Sequence, residues 1–235
     1  MTGQKIIMTD PKIEDYFYEE AIKTLRTNIQ FAGMDIKTIT VTSCYPNEGK
    51  SDIAFQLAKE IGNMNKKVLF VDADIRKSSM MNRYQVKSRV SGLTQYLSGQ
   101  VGRNEIFYNT NFPNLDIIFA GPMAPNPSEL LEQASFEALM EFERSFYDYV
   151  IVDTPPIGNL IDAAVVAKQC DGAILVIESG AVSRRVAEKA KEQLEKSGCR
   201  VLGAVLNKVD MRRDRYYSRY NSKYSNYYNS SNERK

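Results

Sequence analysis

The feature that most constrains the fold of this 235-residue chain is an alternation of short apolar runs with helical patterns. The first of these runs, residues 36–44, is rich in β-branched residues, and the others are residues 67–71, 115–120, 149–152, 173–177 and 201–206. The segments with helical spacing are residues 12–31, 50–62, 128–147, 160–169 and 183–197. Apolar strands separated by helices are typical of a parallel sheet that is covered on both faces. The sequence therefore predicts an α/β fold with a mostly parallel sheet and helices on both faces.

The composition excludes several kinds of site. The chain has no histidine, so we expect neither histidine acid–base catalysis nor histidine metal ligation. The three cysteines, Cys44, Cys170 and Cys199, are too widely spaced for a disulfide framework or a zinc site. No apolar run approaches the roughly 20 residues of a membrane span, and residues 1–10 lack the apolar core of a signal peptide. We therefore expect a cytoplasmic protein that reaches a membrane only through a partner.

The strongest chemical pattern is Gly49-Lys50-Ser51, which follows the first of these runs and opens the helix predicted at 50–62. A glycine-rich turn between a strand and a helix is the context of a phosphate-binding P-loop. Backbone N–H groups at the helix N-terminus attract phosphate, the lysine adds a full positive charge, and the serine offers a hydroxyl to Mg²⁺. Cys44 stands where the usual first glycine would be. The pattern predicts a P-loop NTPase-like nucleotide site.

Two further motifs place carboxylates at strand ends. Asp72 and Asp74 follow the second apolar run, and Asp153 follows the run at 149–152. The carboxyl ends of parallel strands lie at one edge of a sheet, and ligands bind there. We therefore expect the loop and the three carboxylates to meet in one crevice, where Asp153 suits a water-mediated contact to Mg²⁺.

Charge and composition mark a boundary near residue 211. The last 25 residues carry a net charge of +5, which leaves −3 for residues 1–210. They contain no Val, Ile, Leu or Phe, so this segment cannot build a core and is expected to be a flexible tail. We divide the chain into an N-terminal helical segment (1–35), a nucleotide-binding domain (36–210) and the tail (211–235). The tail holds six tyrosines: Tyr216, Tyr217, Tyr220, Tyr224, Tyr227 and Tyr228.

Together these motifs resemble the bacterial tyrosine kinases of capsule and exopolysaccharide export, in their Gram-positive cytoplasmic form. The loop at 43–51 is similar to the family's Walker A motif, which has Pro and Glu where other P-loops have glycines. Residues 71–76 resemble the Walker A′ motif, which is specific to this family, and residues 150–156 resemble its Walker B motif. Residues 121–131 resemble another family segment, and the tail resembles the family's autophosphorylated tyrosine cluster.

The resemblance implies an ATP-dependent protein-tyrosine autokinase that uses Mg²⁺ and regulates capsular or exopolysaccharide synthesis. Asp72 would accept the proton of the tyrosine hydroxyl as a weak base, because a carboxyl ordinarily has a pKa near 4. Arg76 has two open roles, either neutralising the transferred charge or pairing with Asp72 or Asp74. The implied metal-binding residues are Ser51, Asp74 and Asp153. The implied nucleotide-binding residues are Pro46, Asn47, Glu48, Gly49, Lys50, Ser51, Asp52 and Asn207.

The resemblance also implies partners. Glu20, Lys23 and Arg26 lie close to one face of the first predicted helix and resemble the family's ring-forming Glu-x-x-Arg-x-x-Arg motif. Lys23 replaces the first arginine and cannot make its bidentate contact. We expect a homo-oligomer such as a ring, a membrane-embedded activator of the polysaccharide co-polymerase type and a cognate protein-tyrosine phosphatase. The chain would then lie at the inner face of the cell membrane, and no nucleic-acid partner is expected.

Two positions put parts of this interpretation in question. Asp52 stands where the family usually has Thr or Ser, and an ionised carboxylate would repel the α-phosphate unless it points away. Asn207 opens an Asn-Lys-x-Asp sequence like the guanine-reading motif of GTPases, whereas the family's asparagine contacts adenine. Two alternatives stay open: a P-loop switch ATPase of the cell-division or partition type, and a catalytically weak regulatory scaffold.

Overall fold

The computed structural model describes residues 4–11, 15–158 and 160–210. Within them lies one eight-stranded sheet, with the strand order β1-β4-β5-β3-β6-β2-β7-β8. Every neighbouring pair is parallel except β4 and β5. The strands are β1 Gln4–Lys5, β2 Thr38–Ser43, β3 Val68–Asp72, β4 Tyr108–Asn109, β5 Leu115–Ile118, β6 Tyr149–Asp153, β7 Gly172–Glu178 and β8 Val201–Asn207. The predicted mostly parallel sheet is confirmed.

The helices are α1 Tyr16–Ala32, α2 Lys50–Gly62, α3 Met80–Arg83, α4 Leu93–Leu97, α5 Pro127–Leu131, α6 Ala134–Phe146, α7 Asp162–Ala167 and α8 Arg184–Lys196. The single helix predicted at 128–147 is wrong, because Gln133 has an extended backbone (φ −68°, ψ 147°) that separates α5 from α6. Leu131 and Phe136 are both buried. In one continuous helix they would lie about 140° apart around the axis. The break lets each helix bury its own apolar side.

The two faces of the sheet bury separate apolar clusters. Phe70 of β3 packs on Phe55 of α2, with ring centroids 5.4 Å apart. Its neighbours Leu69 and Val71 belong to a second cluster, which includes Phe136 of α6. Successive side chains of a strand point to opposite faces, so β3 contributes to both clusters and is buried along its whole length. β3 is therefore apolar from Val68 to Val71, as the sequence pattern indicated.

The N-terminal segment packs onto the same core. β1 pairs with β4 at the edge of the sheet, and Ile6 is buried directly after it. α1 is capped by Asp15, whose carboxylate accepts the backbone N–H groups of Phe17 and Tyr18. Ile22 of α1 is buried in the cluster that α2 also lines. None of the described helices has the length and apolar character needed to cross a membrane.

Candidate active site

The P-loop connects β2 to α2, and its shape depends on Gly49. This residue has φ +92°, and a Cβ placed on it would lie 2.2 Å from the side-chain nitrogen of Asn207. A side chain here would face both backbone strain and a steric clash. Glycine thus allows β8 to pack directly behind the loop, where the Asn207 amide donates to the carbonyl of Glu48 at 2.8 Å.

The side-chain carboxylate of Glu48 holds the P-loop in place through hydrogen bonds to backbone N–H groups. It is buried and accepts the backbone N–H of Tyr45 at 2.6 Å and that of Glu178 at 3.1 Å. Lys208 adds a second link, because its ammonium donates to the carbonyl of Asn47 at 2.6 Å. The side chains of Glu48 and Asn207, both predicted to bind nucleotide, therefore hydrogen-bond to the protein's own backbone.

Lys50 brings the three motifs together. Its Nζ lies 3.1 Å from Asp74 Oδ2, 3.4 Å from Asp153 Oδ1 and 3.1 Å from Ser51 Oγ. Burial lowers the pKa of Lys50, but the charges of Asp153 and Asp74 raise it by more, so the ammonium stays protonated. Asp72 is the strand-register partner of Asp153. The three motifs thus meet at one sheet edge, as the sequence indicated.

Asp72 is fully buried and accepts hydrogen bonds from the backbone N–H of Asp74, at 3.3 Å, and from the Ser78 hydroxyl. Burial and the charge of Asp153 raise its pKa to about 8, although Ser78 and Lys50 oppose the shift. The ordinary carboxyl pKa assumed from the sequence is therefore wrong for this residue. Once ionised, Asp72 is a much stronger base than an exposed aspartate.

The remaining oxygens suit a magnesium ion held together with phosphates. Burial raises the pKa of Asp153, while Lys50 and Ser51 oppose the shift. Within the described ranges, no group of three or more acidic, histidine or cysteine side chains is arranged to hold a metal by itself. Mg²⁺ is usually bound through one or two carboxylates plus substrate phosphates. Asp74, Asp153 and Ser51 fit that donor set.

Arg76 pairs with neither Asp72 nor Asp74. Its guanidinium donates twice to the carboxylate of Asp162, the first residue of α7, and once to the Ser128 hydroxyl at 3.0 Å. The Ser128 hydroxyl in turn donates to the carboxylate of Asp162 at 2.6 Å. Burial raises the pKa of Asp162, but the hydrogen bonds from Arg76 and Ser128 outweigh burial and hold that pKa below its ordinary value. Ser128 lies in a segment that the sequence singled out. Asp162 was missed, because no local motif surrounds it.

Asp52 faces the helices that flank the loop. Its Oδ2 accepts the Tyr18 hydroxyl of α1 at 3.0 Å, and its Oδ1 lies 3.5 Å from the guanidinium of Arg83 in α3. Burial and the charge of Asp52 raise the pKa of Tyr18, so the phenol stays a donor. These contacts favour the interpretation in which the carboxylate points away from the phosphates.

The three residues of the ring-forming pattern have different surroundings. Glu20 and Lys23 form an exposed ion pair at 2.7 Å on α1. Arg26 is largely buried and pairs with Glu60 of α2 at 2.6 Å, which ties α1 to the nucleotide-binding helix. The six tail tyrosines proposed for phosphorylation lie outside the described residues.

Comparisons with known proteins agree with this geometry. A family model described as an AAA domain matches residues 36–196. The chain is 43% identical over 199 residues to the tyrosine-protein kinase CpsD of Streptococcus agalactiae serotype III, covering 85% of this chain and 84% of that protein. It is 38% identical over 209 residues to the tyrosine-protein kinase YwqD of Bacillus subtilis, covering 88% and 86%. The kinase domain of Escherichia coli tyrosine kinase ETK matches with a TM-score of 0.78 at 36% identity, covering 81% of this chain and 75% of that one.

The matched residues 36–196 contain the P-loop and all three carboxylates that surround or adjoin Lys50. CpsD and YwqD are both named tyrosine-protein kinases, and each similarity extends over more than four-fifths of this chain. The resemblance inferred from the motifs is therefore confirmed, and the chain belongs to the family of bacterial tyrosine-protein kinases.

Proposed function

We propose that the protein transfers the γ-phosphoryl group of ATP to tyrosines in the C-terminal cluster of a neighbouring copy. The observation that carries this proposal is the group formed by Lys50, Asp74 and Asp153, with Asp72 beside it in the strand register. An ammonium and carboxylates at a P-loop supply the positioning and charge neutralisation that phosphoryl transfer needs.

Binding of MgATP rearranges the contacts of Lys50. Its ammonium leaves the two carboxylates and joins the loop N–H groups in holding the phosphate oxygens. Ser51, Asp74 and Asp153 would hold Mg²⁺, and the ion would supply neutralisation of the charge on the transferring phosphates.

Asp72 takes the proton of the attacking tyrosine. The phenol oxygen forms a bond to the γ-phosphorus while the bond to the β–γ bridging oxygen breaks, and ADP leaves with that electron pair. The tyrosine proton passes to the Asp72 carboxylate. Burial and the charge of Asp153 make Asp72 a stronger base than an exposed carboxylate, so it accepts the proton of a phenol, whose ordinary pKa is near 10, more readily.

Membership of the family supports the following cellular setting for the proposed reaction. The chain acts as a homo-oligomer such as a ring, with Glu20 and Lys23 on the exposed face of α1. A membrane-embedded activator of the polysaccharide co-polymerase type recruits it to the inner face of the cell membrane, and a protein-tyrosine phosphatase reverses the modification. The output is control of capsular or exopolysaccharide synthesis.

Intact mass spectrometry tests the activity. The protein is treated with phosphatase, repurified and incubated with MgATP, with and without an activator segment whose binding has been demonstrated. We expect stepwise gains of one phosphate that map to Tyr216–Tyr228 and that are absent in Lys50→Met. If no phosphate is gained although ATP and activator both bind, the kinase proposal fails.

A further inference from the structure

A strongly basic segment begins directly beside the proposed catalytic carboxylates. Between Asp74 and Glu105 the chain has six Lys or Arg residues and no Asp or Glu. Residues 77–89, here called the basic segment, carry four of these six cations. They are Lys77, Arg83, Lys87 and Arg89, and all four are exposed.

The basic segment extends along the same edge of the sheet as the active site. At its start, the Lys77 N–H donates to Asp74 Oδ1 at 3.0 Å. At its end, Arg89 lines a cavity of about 300 Å³ together with Gln4, Ser91 and Tyr108. Tyr108 begins β4, which is antiparallel to β5, so it lies level with the carboxyl end of β5. The segment thus reaches from the active site to the outer strands at that edge.

Most of the charge on this segment is not neutralised by the protein itself. Lys77, Lys87 and Arg89 form no ion pair with any other residue that the structure describes, and Arg83 approaches Asp52 at 3.5 Å. The arginine before the segment behaves differently, because Arg76 is held by a buried carboxylate. One acidic side chain, Glu105, also lines the cavity, and its carboxylate accepts the Gly102 N–H at 2.7 Å. The surface therefore favours an anionic partner.

We propose that the basic segment binds the C-terminal cluster of a second copy once its tyrosines are phosphorylated. This proposal rests on the proposed autokinase function, which supplies the anionic groups. The unmodified tail carries +5 and is repelled by the segment. Each phosphate adds about −1.5 to −2 charges, so about three phosphates neutralise the tail and six make it clearly negative.

The consequence is a charge switch that acts on the reaction product. The unmodified tail approaches the carboxylates of the active site, whereas the phosphorylated tail moves onto the neighbouring cations. Arginine binds phosphate in a bidentate manner, which makes Arg89 the main contact at the cavity. A product retained there keeps the next unmodified tail away from the site.

Binding of synthetic peptides tests this without any kinase activity. The receptor is the full-length chain in which the six tail tyrosines are changed to phenylalanine. Fluorescent peptides of residues 211–235 with none, three or six phosphotyrosines are titrated at low and at physiological salt. We expect the six-phosphate peptide to bind at least about tenfold more tightly than the unmodified one, and salt to weaken that binding.

A matched pair of variants locates the surface. Lys87→Ala with Arg89→Ala removes two cations of the segment, while Arg185→Ala with Lys189→Ala removes two exposed cations of α8. Unchanged melting temperatures establish that both variants are folded. We expect the first pair to weaken phosphopeptide binding about tenfold and the α8 pair to change it less than about twofold.

Several results overturn the proposal. They are equal binding of all three peptides, equal losses for both variant pairs, and capture of anionic lipid vesicles without phosphopeptide binding. If the peptides bind as expected but the intact mass never increases, the kinase proposal alone fails. If the mass increases but the phosphopeptides do not bind, the docking proposal alone fails.

Discussion

Replacing Asp72 with asparagine should abolish kinase activity and at the same time stabilise the nucleotide-free protein. Asp72 is fully buried, and its pKa is raised to about 8, so its ionised form is unfavourable in the folded state. Asparagine has nearly the same shape and no charge. Its amide can keep one hydrogen bond to Ser78 or to the backbone N–H of Asp74. The side chain to which we assign the proton transfer therefore destabilises the fold when it is ionised.

The sign and size follow from the pKa shift. A carboxyl whose pKa is raised in the folded state binds its proton more tightly there than in the unfolded chain. The stability that this proton contributes is complete below pH 3.8 and is lost as the pH rises toward 8. A shift of about one pKa unit corresponds to about 1.4 kcal/mol of stability. The positive charge of Lys50 favours the ionised form of Asp72 and so offsets part of this destabilisation. We therefore expect a gain of about 1–3 kcal/mol for Asp72→Asn above pH 7.

Thermal unfolding between pH 4 and 9, without Mg²⁺ or nucleotide, measures this effect. The variant should melt about 3–10 °C higher than the wild type above pH 7, and the difference should shrink as the pH falls toward 4. Asp162→Asn is the matched control, because that buried carboxylate is stabilised by Arg76 and Ser128. We expect it to lower the melting temperature. A lower melting temperature for Asp72→Asn at pH 8 would refute the reasoning.

Three further changes test other contacts of the site. Gly49→Ala places a Cβ at a strained, blocked position, so we expect fluorescent ADP binding to fall by more than about 100-fold, and near-normal binding would contradict the described loop. Tyr18→Phe frees the Asp52 carboxylate and should weaken ATP binding about three- to tenfold in a calorimetric titration, with recovery upon adding Asp52→Thr. No change in the single variant would show that Tyr18 does not hold Asp52. Arg26→Ala breaks the ion pair with Glu60 and should lower the free energy of unfolding in urea by about 1 kcal/mol, whereas an unchanged midpoint would mean that the pair contributes nothing.

The positions of the site motifs could be predicted because they follow from strand topology. Asp72 and Asp153 each follow an apolar run, and parallel strands bring such positions to one edge. The P-loop could also be predicted, because Gly49-Lys50-Ser51 stands where a predicted strand is followed by a predicted helix. The relatives named as tyrosine-protein kinases favour that class over the switch ATPase and the inactive scaffold.

The tertiary partners of these residues could not be predicted. Arg76 meets Asp162, 86 positions away, and Asp52 meets Tyr18, 34 positions away. No local pattern encodes such pairs, because they depend on how helices pack over the sheet. The strands β1 and β4 have two residues each, which is too short for a periodic signal. The pKa of Asp72 also depends on burial, which exists only in the folded chain.

Transfer between two copies tests the central claim most directly. A Lys50→Met chain with an intact tail is mixed with an active chain whose six tail tyrosines are phenylalanine, in the presence of MgATP and a bound activator segment. The account predicts phosphate on Tyr216–Tyr228 of the Lys50→Met chain, seen as mass gains in steps of one phosphate, and none on either chain alone. Phosphate that stays absent from the mixture while the unmodified wild type phosphorylates itself would contradict transfer between copies.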